Sequence, residues 1–227
     1  NRQIQMGRKA LKPPGDAKED WWITNELGKL LGLKWNYNHP KDIFEEMAKA
    51  MPSLKNISWS RLNKENSVTY PCSSPDSKGQ EIVFGDKFPT DDGKGKFVYA
   101  NVISPDEVPD NDYPMILTTG RQLEHWHTGA MTRKASNLNA IEPEATVCLS
   151  PNDIISKKVK PGDLIKVSTK RGSVNIRVRE DRSIPDGVIF IPFCYNEAAA
   201  NILTNPALDP YGKIPEFKYC AANIEPL

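Results

Sequence analysis

The strongest folding signal lies in residues 164–178, which read LIKVSTKRGSVNIRV. Aliphatic and polar residues alternate on both sides of Lys170-Arg171-Gly172. Alternation with a period of two puts the aliphatic side chains on one face of a strand, and a short turn containing glycine joins two such strands. The stretch therefore predicts a hairpin of strands Leu164–Thr169 and Ser173–Val178 with one face in a core.

Further strands surround this hairpin in the sequence. The other aliphatic or β-branched runs bounded by turn residues are Met115–Thr119, Ala145–Leu149 and Val188–Phe193. Ser150 followed by Pro151 is typical of the start of a short helix, and a second helix is expected at Asn196–Leu203. Because strands and helices do not alternate regularly, residues 113–227 are predicted to form a compact barrel.

The first 60 residues have a helical pattern. Asp16 is the expected N-cap of a first helix that ends at Gly32, and a second helix is expected over Lys41–Met51, before Pro52. Apolar residues recur at helical spacing in the first helix, and we expect this stripe to be core that packs on a larger body. Its members are Ile23, Leu27, Leu30 and Leu31.

Residues 61–112 break this pattern with a proline or glycine every few residues. Short β-rich pieces, Glu81–Phe84 and Lys96–Tyr99, lie between the breaks. Because aromatic and aliphatic residues continue throughout, we expect an extended but ordered connection. The predicted organisation is thus a helical segment (1–60), a connection (61–112) and a barrel domain (113–227).

Composition excludes several classes of protein. The chain has 227 residues and a formal net charge of +1, so no strong field favours nucleic acid or an anionic membrane. No apolar run is long enough to span a bilayer. The cysteines form no CxxC pair and predict free thiols in a reducing compartment, which disfavours iron–sulfur and structural zinc sites. They are Cys72, Cys148, Cys194 and Cys220. Because the chain opens at Asn1, without the character of a domain start, we expect it to be part of a longer polypeptide.

The stretch 118–129, TTGRQLEHWHTG, carries the densest set of ligand-binding side chains. Glycines allow close approach of the backbone, threonine hydroxyls and free N–H groups bond phosphate, and arginine neutralises it. The stretch predicts a loop after a strand that wraps a polyanionic ligand. A metal site at His125 and His127 is disfavoured because His39 is the only other histidine, whereas a purely structural loop stays open.

A second group of candidates consists of Phe193, Asn201 and Lys218. Taken singly, these residues are typical of core, a helix cap and a solvated surface. No nucleophile motif, P-loop or dinucleotide-binding GxGxxG is present. From the residues alone, the chain is a ligand-binding domain without its own catalytic or metal-binding residues.

Several segments resemble a known family. Residues 119–133 resemble the cofactor loop of molybdopterin oxidoreductases of the dimethyl sulfoxide reductase superfamily. Five further segments resemble formate dehydrogenase catalytic (alpha) subunits, the last two at their C-terminal end: residues 13–17, 20–23, 68–72, 201–210 and 214–221.

The resemblance implies a fold and a site. It implies a mixed, β-rich α/β fold, in which a helical segment and an extended connection precede a six-stranded double-psi β-barrel that binds a molybdopterin guanine dinucleotide. Phe193 would line the approach to the metal, which is Mo or W. The implied cofactor-binding residues are Thr119, Gly120, Arg121, Gln122, Leu123, Glu124, His125, Trp126, His127, Thr128, Asn201 and Lys218.

The resemblance also implies what lies elsewhere. The metal-ligating Cys or selenocysteine and the iron–sulfur clusters would lie upstream, so this part would not oxidise formate to CO2 alone. Implied partners are the upstream domains and electron-transfer subunits, without nucleic acid or membrane insertion. The expected compartment is the cytoplasm, with the periplasm as the alternative. One alternative is a periplasmic-type nitrate reductase, whose loop also reads like Glu124–Gly129. Another is a non-catalytic cofactor-binding module.

Overall fold

Three helices and a two-stranded sheet make up the first part of the structure, a computed structural model that describes residues 1–227. The elements are β1 (Gln3–Gln5), α1 (Asp20–Leu30), α2 (Pro40–Ala50), α3 (Trp59–Glu65) and β2 (Ser67–Thr69). β1 pairs antiparallel with β2, with Ile4 opposite Val68. They share a small core of Met6, Phe44, Leu54, Ile57, Leu62, Val68 and Cys72.

Two of these helices were predicted, with different accuracy. α2 is confirmed: His39 Nδ1 accepts a hydrogen bond from the N–H of Lys41 at 3.0 Å, and Asp42 reaches back to the N–H of His39. The N-cap predicted for α1 is wrong, because the helix begins at Asp20 with Glu19 at the cap position. Gly32 follows the helix with φ +84°, the left-handed conformation expected after a helix end.

The faces of α1 are reversed relative to the prediction. Asn25 and Gly28 are buried, and a Cβ on Gly28 would lie 2.2 Å from the ring of Trp35. The apolar stripe predicted as core is exposed instead, with Leu30 84% and Leu31 74% accessible. Small and polar residues therefore face inward on this helix while its aliphatic residues face outward.

The segment between α2 and the barrel differs from its prediction in secondary structure. α3 was not predicted; Ser58 caps it by accepting a hydrogen bond from the N–H of Arg61 at 3.0 Å. The strands predicted at Glu81–Phe84 and Lys96–Tyr99 are wrong, because β-propensity is expressed only where a partner strand is available and these residues enter no ladder.

The chain divides into two units, Asn1–Tyr99 and Ala100–Leu227. The predicted organisation has three parts, with boundaries after residues 60 and 112, whereas this division has a single boundary after Tyr99. The three-part organisation stays a prediction.

Six strands of the second unit close into a barrel. They are β3 (Met115–Gly120), β4 (Thr146–Leu149), β5 (Leu164–Thr169), β6 (Gly172–Glu180), β7 (Val188–Pro192) and β8 (Cys220–Pro226). Their order around the barrel is β3-β7-β4-β6-β5-β8. β3 is parallel to β7 and β4 to β6, and the remaining neighbours are antiparallel.

The barrel core follows the alternation read from the sequence. β5 and β6 form the predicted hairpin, with Thr169 opposite Gly172 across a two-residue turn. Ile165, Val167 and Ile176 are at most 2% exposed and point into the barrel. The prediction of a mixed, β-rich fold with a six-stranded C-terminal barrel is confirmed. β8 was missed, since its Cys-Ala-Ala-Asn start carries little strand propensity.

Short helices connect the strands. They are α4 (Ser136–Ile141) and α5 (Pro151–Ser156). The predicted cap of α5 is confirmed, since Ser150 Oγ accepts a hydrogen bond from the N–H of Asp153 at 3.1 Å. The single helix predicted at Asn196–Leu203 is wrong: two 3-10 turns, Asn196–Ala198 and Ala200–Ile202, occupy it. All four cysteines are free and buried. None of the helices has the length and apolar character needed to cross a membrane.

Candidate cofactor-binding site

Both predicted groups of site residues leave the barrel at the same end. Gly120, the last residue of β3, lies opposite Pro192, the last residue of β7. Because the two strands are parallel neighbours, the loop after Gly120 and the segment after Pro192 start side by side. The N–H of Phe193 donates to the carbonyl of Gly120 at 3.1 Å, which extends the pairing beyond the strands.

A cavity of about 440 Å³ opens between these segments. It is lined by Thr119, His127, Thr128, Phe193, Asn201, Thr204, Pro215 and Phe217. The structure therefore brings together three residues of the 118–129 loop with Phe193 and Asn201 of the second group. The sequence placed these two groups more than 60 residues apart and gave no geometric reason to join them.

A third segment is tied to the end of β3. Thr119 Oγ1 donates to the carbonyl of Phe217 at 3.0 Å, and Lys218 Nζ donates to the carbonyl of Thr119. Thr119 is 3% exposed, so its hydroxyl is used inside the protein. These bonds bring Lys218 to the mouth of the cavity, although 99 residues separate it from Thr119.

Two glycines are required for the loop to lie where it does. A Cβ on Gly120 would lie 2.3 Å from Cε2 of Phe190, and real Cβ atoms do not approach so closely. Gly129 has φ +76°, and a Cβ there would lie 2.6 Å from the carbonyl oxygen of Cys194. Both glycines permit the loop backbone to pack closely on β7 and the segment that follows it.

His125 anchors the loop from inside. It is 2% exposed, and both ring nitrogens are used: Nε2 lies 2.8 Å from the carbonyl of Glu142, and Nδ1 lies 3.3 Å from Oγ1 of Thr132. Its ring contacts Tyr195 edge-on at 5.6 Å, and the Tyr195 hydroxyl donates to the same carbonyl of Glu142. Burial raises the pKa of Tyr195 to about 12. With both nitrogens bonded to oxygen atoms, this imidazole has no free lone pair for a metal.

His127 has the opposite environment. It is exposed, has φ +50° and lines the cavity, with its ring edge-on to Phe193 at 5.2 Å. No group of three or more His, Cys, Asp or Glu side chains is arranged to hold a metal ion.

The outer part of the loop is exposed. Leu123 and Trp126 are 95% and 69% accessible, and the Arg121 side chain is also at the surface. Gln122 Nε2 donates to the Glu124 carboxylate at 2.6 Å, which lowers the pKa of Glu124. These residues form the rim beside the cavity rather than its lining.

The mouth of the cavity carries uncompensated positive charge. Burial and the nearby charge of Arg121 lower the pKa of Lys218, and no carboxylate opposes this shift. Neither Lys218 nor Arg121 forms an ion pair. Lys218 Nζ also lies over the rings of Phe193 and Phe217, at 5.7 Å and 5.4 Å from their centroids. Two cations without a counter-charge beside aromatic walls suit an anionic ligand with a planar ring.

Three lining residues were not singled out from the sequence: Thr204, Pro215 and Phe217. Thr204 follows the 3-10 turn that carries Asn201, and Phe217 directly precedes Lys218. Each lies within a few residues of a candidate, in a segment that resembles formate dehydrogenases, but neither observation shows which side chains line a cavity.

Comparison with known proteins agrees with this geometry. Residues 115–221 match the family model of the "Molydopterin dinucleotide binding domain", that is, the domain that binds molybdopterin dinucleotides. This range begins with β3 and ends inside β8, so it covers the first five strands of the barrel, the start of β8 and every residue that lines the cavity.

Relatives match over almost the whole chain. The F420-dependent formate dehydrogenase subunit alpha of Methanocaldococcus jannaschii is 44% identical over 99% of this chain and 33% of its own length. The assimilatory nitrate reductase catalytic subunit of Bacillus subtilis is 34% identical over 97% of this chain and 32% of its own length. This chain thus spans about a third of the length of the curated relatives it matches.

A solved structure supports the fold. The acetylene hydratase of Pelobacter acetylenicus superimposes with a TM-score of 0.72 at 20% identity, over 100% of this chain and 35% of that one. The match to the family model, the barrel fold and the cavity at the end of β3 and β7 agree, and residues 115–221 of this chain belong to the family of molybdopterin dinucleotide-binding domains.

Proposed function

We propose that this chain is the C-terminal cofactor-binding part of a formate dehydrogenase catalytic subunit and that its cavity holds a molybdopterin guanine dinucleotide. The observation that carries the proposal is the meeting of three separate segments, around Thr119, Asn201 and Lys218, at one cavity with uncompensated positive charge. When bound, the cofactor supplies the redox-active metal–sulfur centre, with Mo or W as the metal.

The residues at the cavity fit such a group. Arg121 and Lys218 provide the positive charge that a pyrophosphate requires, and Arg can bind it bidentately. Thr128 and Asn201 supply a hydroxyl and an amide that can bond to polar ring edges. Phe193 offers a planar apolar wall on the approach to the metal.

The remaining candidates are proposed to act around this contact surface. Thr119, Gly120 and His125 shape the loop, since their polar atoms or backbone positions are already engaged within the protein. His127 lines the cavity directly. The rim residues Gln122, Leu123, Glu124 and Trp126 would meet the exposed side of the cofactor.

The rest of the enzyme is proposed to lie upstream in a longer polypeptide. That part would contribute the metal-ligating Cys or selenocysteine and the iron–sulfur clusters that pass electrons to partner subunits in the cytoplasm. Residues 1–60 would pack on this upstream region and residues 61–112 would connect it to the barrel domain. Neither nucleic acid nor membrane insertion is part of the proposal.

The test is elemental analysis of the native full-length polypeptide that carries this chain, together with a formate oxidation assay. One Mo or W per chain, several Fe and formate oxidation are expected. A folded native protein without Mo or W would overturn the proposal and favour the non-catalytic cofactor-binding module.

Nitrate reduction is the second candidate function. It is favoured by the 34% identity to the nitrate reductase of Bacillus subtilis, which extends over 97% of this chain. A metal-loaded protein that reduces nitrate and does not oxidise formate would select this candidate. The C-terminal stretch Pro206–Pro210, which resembles formate dehydrogenases, favours the first.

A further inference from the structure

A half-buried ion pair joins the segment before the barrel to two sides of the cofactor cavity. Arg171, in the turn between β5 and β6, donates from Nη1 and Nη2 to the two carboxylate oxygens of Glu107 at 2.5 and 3.0 Å. The side chains are 22% and 12% exposed, the least exposed pairing in the chain. We refer to Glu107 and Arg171 as the clamp.

Each member of the clamp makes one further bond to a segment of the site. Arg171 Nε donates to the carbonyl of Leu203 at 3.0 Å, between the cavity residues Asn201 and Thr204. Glu107 Oε1 accepts from the N–H of Ala221 at 2.6 Å, three residues after Lys218. The clamp therefore spans the segments that carry Asn201 and Lys218.

Neighbouring contacts hold the same two segments together. Asn205 Nδ2 donates to the Glu216 carboxylate at 2.7 Å, and that carboxylate also accepts from the N–H of Asp106 at 3.1 Å. Gly172 leaves room for Ile202, whose Cγ2 would lie 2.6 Å from a Cβ at this position. The main-chain N–H of Asp106 thus contacts the segment that carries Lys218. The carboxylate of Glu107 contacts the same segment at Ala221 and reaches the Asn201 segment through Arg171.

We infer that Glu107 and Arg171 are positioning residues for the dinucleotide site, which fix the Asn201 and Lys218 segments relative to each other without touching the ligand. The inference rests on the proposed function, since it names the site that the clamp organises. Its physical basis is that charged, bidentate hydrogen bonds in a half-buried place resist displacement more than neutral ones. Loss of the clamp would let the two sides of the cavity move apart and release the dinucleotide faster.

The experiment uses the full-length holoenzyme and the variant Glu107→Gln, which keeps the shape and removes the charge. The native enzyme is first incubated in cofactor-free buffer and then denatured. The fluorescence of the pterin released on denaturation measures how much cofactor was still bound. The dinucleotide should be lost about three- to tenfold faster than from the wild type, the range expected for a residue that acts on a site without contact. Arg171→Lys, which cannot form the fork and also bond Leu203, should give the same result.

Two matched variants separate positioning from stability. Glu144→Gln removes an exposed pairing with Arg177 on β6 and should lose cofactor at the wild-type rate. Ile176→Val destabilises the barrel core, where Ile176 is 2% exposed, without touching the clamp. It should also retain cofactor, at a loss of thermal stability comparable with that of Glu107→Gln.

Hydrogen exchange gives a readout independent of the cofactor. In Glu107→Gln, the amides of residues 200–204 and 217–221 should exchange faster, and those of β4 should not. A wild-type rate of cofactor loss in both clamp variants, or equal loss from Ile176→Val, would overturn the clamp alone. A wild-type enzyme that releases no pterin on denaturation holds no such cofactor, and this result would overturn the proposed function and the clamp with it.

Discussion

Arg121 and Lys218 lie close enough for the charge of one to act on the other, and neither forms an ion pair. Two cations in proximity repel each other, and the arrangement is unfavourable unless an anion joins them. The nearby charge of Arg121 contributes to the lowered pKa of Lys218 in this way. Their proximity therefore carries more functional information than either residue alone.

Arg121→Ala tests that charge. In the full-length enzyme it should lower the fraction of chains that hold the dinucleotide, because one phosphate partner is lost, and leave the free energy of unfolding of the barrel within about 0.5 kcal/mol. Pterin content and urea unfolding measure the two quantities. Arg182→Ala is the control, since Arg182 is 87% exposed and lies away from the cavity. Normal cofactor content in Arg121→Ala would contradict the proposed role.

Gly120 makes a second test at this scale, which concerns packing. Gly120→Ala should destabilise the barrel by about 1–3 kcal/mol, since the new methyl group must displace the Phe190 ring. Urea unfolding measures the change. Gly85→Ala is the control, because a Cβ there meets nothing within 4 Å. In the double variant, Phe190→Leu should recover part of the stability lost in Gly120→Ala. If the two changes in the free energy of unfolding simply add, contact with Phe190 is not the cause of the destabilisation.

The residue types of the 118–129 loop predicted from the sequence that it binds a ligand, but they did not predict the environment of each side chain. His125 and His127 are two residues apart in one motif, yet one is buried with both nitrogens bonded and the other is exposed at the cavity. The difference depends on Glu142 and Thr132, which contact His125 only after the loop has folded. A pattern in the sequence therefore identifies the loop, but not which of its side chains reach a ligand.

At the scale of elements, the segment that leads into β3 is bonded to the segments that carry the cavity residues, through Glu107. The sequence described it as a connection because its prolines and glycines mark turns. Glu107 nevertheless bonds to residues 64 and 114 positions away. Local patterns predicted β3 to β7 because their hydrophobic alternation is local, whereas contacts at such separations leave no periodic signal.

The clamp gives this segment a dependence on pH. The hydrogen bond from Arg171 lowers the pKa of Glu107 below its ordinary value of 4.5. Near pH 4.5 the unfolded state therefore binds more protons at Glu107 than the folded state does. The contribution of Glu107 to the free energy of unfolding is complete above about pH 4.5 and is lost as the pH falls through the pKa of the folded state.

Urea unfolding at pH 6 and pH 4 checks this sign. The free energy of unfolding should fall more on acidification in the wild type than in Glu107→Gln, which has no titrating group at this position. Other carboxylates contribute equally to both proteins, so the variant is its own control for them. Parallel losses in the two proteins would show that Glu107 does not titrate as described.

At the scale of the whole molecule, the aliphatic face of α1 stands out because its leucines remain exposed in this chain. Burial of a leucine side chain is worth roughly 1.5–3 kcal/mol. A helix that turns Asn25 inward and leaves Leu27, Leu30 and Leu31 accessible forgoes that gain. The relatives are about three times as long, and we propose that the upstream part of the full-length polypeptide covers this face.

Leu30→Lys tests this arrangement against Leu11→Lys, because both leucines are 84% exposed and only Leu30 lies in the stripe. In the 227-residue chain both variants should unfold within about 0.5 kcal/mol of the wild type. In the full-length polypeptide Leu30→Lys should lower the melting temperature and Leu11→Lys should not. Equal behaviour of the two variants in the long polypeptide would refute the covered face.

The position of β8 has a consequence for biosynthesis. This strand closes the barrel between β3 and β5, and Phe217 and Lys218 precede it directly. A ribosome makes β8 after every other strand of the barrel, and β3 must wait about a hundred residues for its second neighbour. A nascent chain can form the β5–β6 hairpin early, but it completes the cavity only when translation has passed β8. Stalled or truncated chains would therefore lack a finished site.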